Sequence, residues 1–509
     1  MIEPLAAPHF ALSAFMLLWN ILIAGRISGR RDAPRVFSGI TAVGGLLIAP
    51  ALIMSVATAS ILHGRSLDTV TWVWPFTVTL IAVQAVMATV RRLVHPTVGI
   101  PIALFDLVLA AGAVVRYLAS RGMTLPDALI AIPAAQAGAL TLLAGAPALT
   151  SPLYFHVPLL APAFGARWRA SLAVRAIVAT IAAAWFVTFA IRAPLAVSAV
   201  TGYSRYSSEP LRERPANDFA IGLRILPALT GSPSPLALRG DLALVDRLAV
   251  DAISVVIEPE GATRTALDSL ARSLDQLRRD STLLIVALGD GRAVRNVLGG
   301  DSPLTERERF PALIRIAQRL RPDIILPVLE PYGTSARVFG ALPLERWQRY
   351  LERARGELRS VDARMAVGVT IAGFGTRDSA LYMWAAGPNS AVDVVGFAIA
   401  PTSQGAIGLS ARLRLAEGWM TAGRSTSPHW VFSAAGLPVA HGERAQERAL
   451  WGQLAWATAN PRIKGFVVTE AGDYGDARGL RTIGGRVRPA TATVERAMRA
   501  LRERAAASP

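Results

Sequence analysis

Acidic side chains follow several short apolar runs in the second half of the chain. The positions just past these runs give one set of candidates, namely Glu258, Glu260, Asp290, Glu330, Asp378, Glu470 and Asp473, together with the uncharged Ser433. Two carboxyl groups can divide a reaction between them, because one donates a proton while the other attacks carbon or activates water. Cleavage of a glycosidic bond is a reaction that needs such a pair.

The elements that must position these side chains repeat from Phe219 to the end of the chain. Eight apolar β-type runs alternate with amphipathic helical segments, and they begin at Phe219, Ala252, Thr282, Asp323, Arg364, Val392, His429 and Lys464. Strands that are apolar on both faces form parallel sheets. The region 219–509 is therefore predicted to be an α/β domain, a closed (β/α)8 TIM barrel whose site lies at the carboxyl ends of the strands. A doubly wound open sheet is the alternative, but no glycine-rich phosphate loop follows the first run.

Three stretches of this region resemble the retaining clan A glycoside hydrolases, which are built on (β/α)8 barrels. Ile316–Pro331 resembles the helix, turn and strand that deliver their acid/base Glu-Pro, and Val392–Pro401 is similar to their sixth strand. Gly465–Gly475, followed by Arg488–Ala490, resembles their last strand and the lead into the final helix. The resemblance implies that Glu330 is the acid/base residue. From the residues alone, this carboxylate could equally bind sugar hydroxyls or pair with an arginine.

Two positions depart from the pattern of these hydrolases. Leu329 stands where they have an asparagine, and alignment on Gly436 places Ala434 at the strand-seven nucleophile position. An alanine cannot form a glycosyl ester, so the usual double displacement is not available. Glu470 and Asp473, after the eighth run, are the candidates for a second catalytic carboxylate, which would give inverting chemistry at a separation above about 6.5 Å. The alternative for both is a structural or substrate-contacting role.

Four further residues are assigned to substrate binding. Glu258 follows the second run, while Tyr332 and Trp430 offer aromatic rings on which sugar faces can pack. Trp430 has the alternative of a place in the barrel core. His441 lies beyond strand seven with Glu443, but no third ligand at recognisable spacing suggests a metal site. The sequence predicts neither a metal nor a cofactor.

The chain ahead of the barrel is strongly apolar. Before residue 193 it has about 13 arginines and about 5 acidic residues, against about 40 basic and about 31 acidic residues afterwards. A membrane span needs about 20 apolar residues. Residues 1–195 are therefore predicted to be an all-α transmembrane bundle of about six helices, followed by a linker at 196–218. The six spans are Ala7–Ala24, Val36–Leu62, Val70–Val90, Val98–Tyr117, Leu125–Leu149 and Leu172–Ile191.

Polar and proline-rich positions interrupt this apolar region. Ser151–Pro162, between the last two spans, is apolar but holds three prolines, which is typical of an interfacial or re-entrant stretch. Asp106 and Gln136 fall inside predicted spans, where polar groups either mark function or make interhelical hydrogen bonds.

The distribution of arginine in the short loops predicts the orientation of the bundle. Arginines cluster in the first, third and fifth loops, at 26–35, 91–92 and 167–169, whereas the second and fourth loops carry only Arg65 and Arg121. The arginine-rich loops should be cytoplasmic. An even number of spans then places both termini and the barrel outside the cytoplasm, on a bacterial inner or plasma membrane.

Composition also limits the partners of this chain. The formal charge of +17 comes almost entirely from arginines that are interleaved with acidic residues along helices, so a nucleic-acid partner is not expected. The absence of cysteine excludes disulfides, thiol nucleophiles and thiolate metal sites. The expected partners are the lipid bilayer, a polysaccharide or oligosaccharide, and subunits of a membrane complex.

Together these features lead to one functional hypothesis and two alternatives. The leading hypothesis is a membrane-anchored, glycoside-hydrolase-like protein that acts on or binds a cell-envelope or exported polysaccharide. The first alternative is a catalytically inactive barrel that serves as a glycan-binding or assembly module. The remoter alternative is a transporting or sensing helix bundle with the barrel as an external accessory.

Overall fold

The chain divides into two compact units, which are described separately. The first comprises Met1–Gly202 with 403–405 and 439–443, and the second comprises the remaining residues. The computed structural model describes residues 18, 20–22, 24, 34–59, 72–121, 123, 125–143, 157–161, 170–226, 235–277, 281–290, 306–339, 342–388, 390–402, 404–423, 427–473, 478–482 and 485–507.

Helices dominate the first unit. They are α1 (Arg35–Ala59), α2 (Val73–Val90), α3 (Pro96–Ser120), α4 (Asp127–Leu143) and α5 (Ala170–Thr201). In the described part of the chain, four stretches are long and apolar enough to cross a membrane, namely Arg35–Leu52, Val73–Val90, Pro96–Ala119 and Ala183–Ser208. Most of the predicted first span and most of the predicted loop arginines lie outside the described residues. The count of six spans therefore stays a prediction.

A short non-helical segment, 157–161, is held among the helices of this unit. Three consecutive N–H groups of the segment donate to side-chain oxygens of Asp106, Asn20 and Gln84, at 2.9, 2.9 and 3.0 Å. Gln136 donates to a backbone carbonyl of α3. Non-helical backbone at membrane depth persists only where the protein satisfies its polar groups. These bonds favour the structural interpretation of Asp106 and Gln136; the rest of the predicted proline-rich stretch lies outside the described residues.

The second unit is built on a closed barrel of eight parallel strands in sequence order, which confirms the predicted sheet. The strands are β1 (Ala220–Ile225), β2 (Ala252–Ile257), β3 (Leu283–Leu288), β4 (Ile324–Leu326), β5 (Ala366–Ile371), β6 (Val394–Ile399), β7 (His429–Ala434) and β8 (Ile463–Val468). The described helices between and after them are α6 (Pro235–Leu248), α7 (Arg264–Asp275), α8 (Glu306–Leu320), α9 (Ala336–Phe339), α10 (Leu344–Val361), α11 (Thr376–Ala385), α12 (Gly405–Gly423), α13 (Pro438–His441), α14 (Glu443–Ala459) and α15 (Pro489–Ala507).

Alternate side chains of each strand point into the barrel or outward onto the helices, as the two-residue period of a strand requires. The interior is filled largely by Trp430 and Phe432, whose rings stack with centroids 5.8 Å apart. Glycines on neighbouring strands make room for them. A methyl group at Gly465 would lie 2.2 Å from the Trp430 ring, and one at Gly396 would lie 2.0 Å from the Phe432 ring. The barrel is therefore a packed core rather than a pore, and in such barrels the active site lies at the carboxyl ends of the strands.

The residues predicted as a linker (196–218) differ from a loose connection. Helix α5 runs into this stretch, and the part from Tyr203 belongs to the second unit. Tyr203 and Tyr206 are buried in the apolar cluster around the barrel. The Arg214 guanidinium donates to Asp218 at 2.9 Å and to four carbonyl oxygens between α14 and β8. These contacts fasten the segment to the outside of the barrel.

Candidate functional site

A buried arginine marks the mouth of the barrel at the end of β1. Arg224 alternates with Leu223 and Ile225, which belong to the outer cluster, so its side chain points inward; it is 4% exposed. Its Nη2 donates to the backbone oxygen of Phe432 at 2.6 Å. Burial lowers the pKa of this guanidinium, and the charges of Glu330 and Glu470 oppose that shift. The charges of two carboxylates, one from each half of the barrel sequence, thus act on the same buried guanidinium.

Glu330 follows β4 at the start of a tight turn. Its backbone oxygen accepts from the N–H groups of Gly333 and Ser335, and its Oε2 accepts from the N–H of Thr334 at 3.2 Å. A methyl group at Gly333 would come within 2.5 Å of Oε2, so the turn wraps closely around the carboxylate. Arg412 of α12 lies near enough for Glu330 to oppose the burial that lowers the pKa of Arg412. Glu330 is half-buried in this setting.

Asp290, directly after β3, lies beside Glu330. Ser335 donates its hydroxyl to Asp290 Oδ1 at 2.5 Å. Burial raises the pKa of Asp290, the Ser335 bond and Arg309 lower it, and the charge of Glu330 raises it further. Behind both acids, Arg309 donates to the carbonyl oxygens that precede Asp290 and follow β4, at 2.8 and 2.9 Å. The ends of β3 and β4 are therefore clamped by one buried guanidinium.

Of the two predicted substitutes for the nucleophile, Glu470 is the one whose charge acts, like that of Glu330, on the buried Arg224 guanidinium. It is half-buried after β8. Asp473 is 6% exposed, and its two oxygens each accept from a different Nη atom of Arg488 at 2.6 Å. Since both oxygens of Asp473 are engaged, its surroundings favour the structural alternative, as the support of the loop after β8.

A β-bulge decides which strand-seven side chain faces the mouth. Val431 pairs with Phe466 and Ala434 with Val468, so two residues, Phe432 and Ser433, stand opposite one on β8. Ser433 therefore points inward, where its hydroxyl accepts from the Thr469 hydroxyl at 2.9 Å. Ala434 is 0% exposed and packs in the outer cluster against the helices. The predicted alignment put Ala434 at the nucleophile position, but the inward position at this strand end belongs to Ser433.

The four predicted substrate-binding residues lie in different surroundings. Trp430 is 4% exposed within the barrel, which favours its core alternative. Tyr332 is half-buried after Glu330, and burial raises its pKa. Glu258 is half-buried with its carboxylate against Gly289, where a methyl group would lie 2.4 Å from it. His441 is buried at the end of α13 and belongs to the first compact unit.

Asp378 has a local structural task. Its carboxylate accepts from the N–H groups of Ala372, Gly373 and Gly375, at 3.3 to 3.4 Å, ahead of α11. Burial raises the pKa of this carboxyl, while the three bonds oppose the shift. Within the described ranges, no group of three or more histidine or acidic side chains is arranged to hold a metal ion.

The sequence reasoning missed the arginines that organise the mouth. Arg224 lies inside an apolar run, and the residues on either side of it do not show whether its side chain points into the barrel or lies at a strand end. One signal was present, since an arginine at an inward position of a core strand is expensive unless carboxylates compensate it. The sequence pattern marks Asp290 as an acidic residue after β3, but it does not show that Asp290 lies beside Glu330.

Comparisons with known proteins give distant structural likenesses and no family. No protein-family model matches this sequence, and no curated protein matches it. An exo-β-1,4-mannosidase, Op5Man5 from Opitutaceae bacterium strain TAV5, is 16% identical with TM-score 0.44 over 58% of this chain and 62% of its own. A GH5_18 protein from Bifidobacterium longum subsp. infantis is 13% identical with TM-score 0.45, over 57% and 79%.

A GH2 β-galacturonidase from Eisenbergiella tayi is 15% identical with TM-score 0.42, over 55% of this chain and 51% of its own. This chain thus spans only part of the length of most of these hydrolases. At such values the likeness carries no assignment of activity. The class is defined by the chain's own geometry, a closed (β/α)8 barrel with a carboxylate-rich and arginine-rich mouth.

Proposed function

We propose that this chain is a membrane-anchored, glycoside-hydrolase-like protein that acts on a cell-envelope or exported polysaccharide at the mouth of its barrel. The observation that carries the proposal is that Glu330 and Glu470, which follow two barrel strands, both act by their charge on the buried Arg224 of β1. In this proposal residues 1–195 form the anchor and 219–509 form the glycan-binding barrel.

At a carboxyl separation above about 6.5 Å, the reaction that suits these two carboxylates is inverting hydrolysis. Glu330 donates its proton to the glycosidic oxygen as the bond to the anomeric carbon breaks. Glu470 removes a proton from a water molecule, whose oxygen bonds to the anomeric carbon from the opposite face. Glu258 accepts hydrogen bonds from sugar hydroxyls, and the ring of Tyr332 packs against a sugar face.

Binding without cleavage is the second candidate, and one observation favours it. The end of β7 offers only Ser433 and Ala434, so no carboxylate stands there. The charge of Glu330 also acts on the guanidinium groups of Arg224 and Arg412, and arginine donors beside a carboxylate acceptor suit hydrogen bonding to sugar hydroxyls.

The experiment compares the full-length protein in detergent with its Glu330→Gln, Glu470→Gln and Glu352→Gln variants on envelope and exported glycans. Glu352 is exposed on α10 and serves as the matched control. Release of new reducing ends that disappears in the first two variants supports hydrolysis. Glycan retention without cleavage, weakened by Glu330→Gln alone or with Glu470→Gln, supports the binding candidate. Equal behaviour of all four proteins contradicts both.

Membrane placement is proposed on the four apolar helices and on the loop arginines. We propose that both termini and the barrel lie outside the cytoplasm. A reporter that is active only outside the cytoplasm, fused after Pro509, should be active, and a cytoplasm-dependent reporter fused at the same place should be silent. The reverse result contradicts the orientation and leaves the glycan proposal standing.

A further inference from the structure

A connected set of hydrogen bonds links the end of β3 to the turn that carries Glu330. Ser335 is 0% exposed and bridges the two, since its hydroxyl donates to Asp290 and its N–H donates to the Glu330 carbonyl. We propose that Asp290 is a positioning residue for Glu330, acting through the hydroxyl of Ser335. The inference rests on the proposed function only in taking Glu330 as the working carboxylate.

Hydrogen bonds from buried side chains hold the base of the turn. Arg309 is 3% exposed and donates to carbonyl oxygens at the ends of β3 and β4. Tyr350 of α10 donates its hydroxyl to the second of these oxygens at 3.0 Å. Because these three hydrogen bonds hold the base, the position of the Glu330 carboxylate depends on the turn after it.

The turn after Glu330 contacts the Glu330 carboxylate directly. Thr334 donates its N–H to Glu330 Oε2, and the α-carbon of Gly333 lies against the same oxygen. Both residues immediately precede Ser335, so the position of Ser335 sets the direction of the Thr334 N–H. The Ser335 hydroxyl is in turn directed by Asp290.

Burial and charged neighbours act on Asp290, the acceptor of the Ser335 hydroxyl. Asp290 faces Ser335 and Arg309, and Glu330 is the carboxylate whose charge acts on it. Burial and that neighbouring charge raise the pKa of Asp290, whereas Ser335 and Arg309 lower it. The Ser335 bond is thus a contact to a largely desolvated acceptor, which makes it stronger than an exposed one.

The test reads the Glu330 carboxyl directly in the full-length protein in detergent, by carbodiimide and glycine ethyl ester labelling followed by mass spectrometry. Ser335→Ala and Asp290→Ala should each raise the labelling rate of Glu330 about fivefold, the factor that corresponds to a hydrogen bond of about 1 kcal/mol. Asp290→Asn keeps an acceptor for the hydroxyl and should stay near the wild-type rate. Exposed Glu352 is the internal reference.

The double variant Asp290→Ala/Ser335→Ala should match either single variant, because both remove one bond. Additive effects, or an unchanged Glu330 rate in both single variants, overturn the inference. If Ser335→Ala fails to fold, Ser335→Cys keeps the shape with a weak donor and should raise the rate by a smaller factor. Labelling needs no glycan, so a protein inactive on every glycan contradicts the proposed function and leaves this result readable.

Discussion

The β7 bulge predicts opposite outcomes for the same substitution at two adjacent positions. Ser433→Glu places a carboxylate at the inward position of the barrel mouth, facing the region of Arg224. Ala434→Glu places it in the cluster between the barrel and the helices. We expect the first variant to fold and the second to lose the fold.

The magnitudes follow from burial. Ala434 is 0% exposed, so a glutamate there either buries an unpaired charge or enters protonated into a filled core, at a cost of several kcal/mol. Most of a domain stability of about 5–15 kcal/mol is then lost. At Ser433, which is half-buried, the change removes one hydroxyl contact with Thr469, worth about 1 kcal/mol.

The assay is the thermal unfolding midpoint of the full-length protein in detergent, with Ser433→Gln and Ala434→Gln as matched neutral variants. A large difference between Ala434→Glu and Ala434→Gln measures the charge, and any drop common to both measures side-chain size. The Ser433→Glu variant is then assayed for glycan cleavage, because it restores a carboxylate at this strand end. If Ala434→Glu folds as well as the wild type while Ser433→Glu unfolds, the inward and outward assignments are reversed and the reasoning is wrong.

Three further predictions concern the barrel, each read from the midpoint or free energy of unfolding in detergent. Asp473→Ala should destabilise the protein by about 3–5 kcal/mol, because it leaves Arg488 buried without its partner, and a wild-type midpoint would show that the pair has no structural part. Gly465→Ala should cost about 1–3 kcal/mol by overpacking against Trp430, and an unchanged midpoint would mean that the ring moves freely. Burial lowers the pKa of His429 to about 4 from about 6.5, so its neutral form is favoured in the fold. Stability should therefore fall by about 3 kcal/mol as the pH drops from about 6.5 to about 4, and the His429→Gln variant should lack that part of the slope.

The barrel could be predicted from the sequence because its pattern is local. Seven of the eight strands have six residues and β4 has three, and the alternation with amphipathic helices is visible within about 40 residues of chain. Since parallel strands with right-handed crossovers leave few topologies, eight repeats closed into a barrel. The position of Glu330 at a strand end followed from the same local pattern.

The composition of the mouth could not be predicted in this way. Arg224 and Glu470 meet because β1 is hydrogen-bonded to β8, a contact between the two ends of the barrel sequence. Similarly, Asp473 is committed to Arg488 by the path of the loop after β8. Neither pairing can be predicted from the spacing of residues in the sequence, because strand order and loop geometry determine the partners.

The sequence by itself determined that Glu330 follows a barrel strand, since strand ends are read from local hydrophobicity. Only the tertiary structure decided which strand-seven side chain points into the barrel. One extra residue on β7, opposite a single residue of β8, turns Ser433 inward and Ala434 outward. A strand has a period of two, so one inserted residue exchanges the faces of every side chain beyond it, and the insertion is visible only when the neighbouring strand is in place.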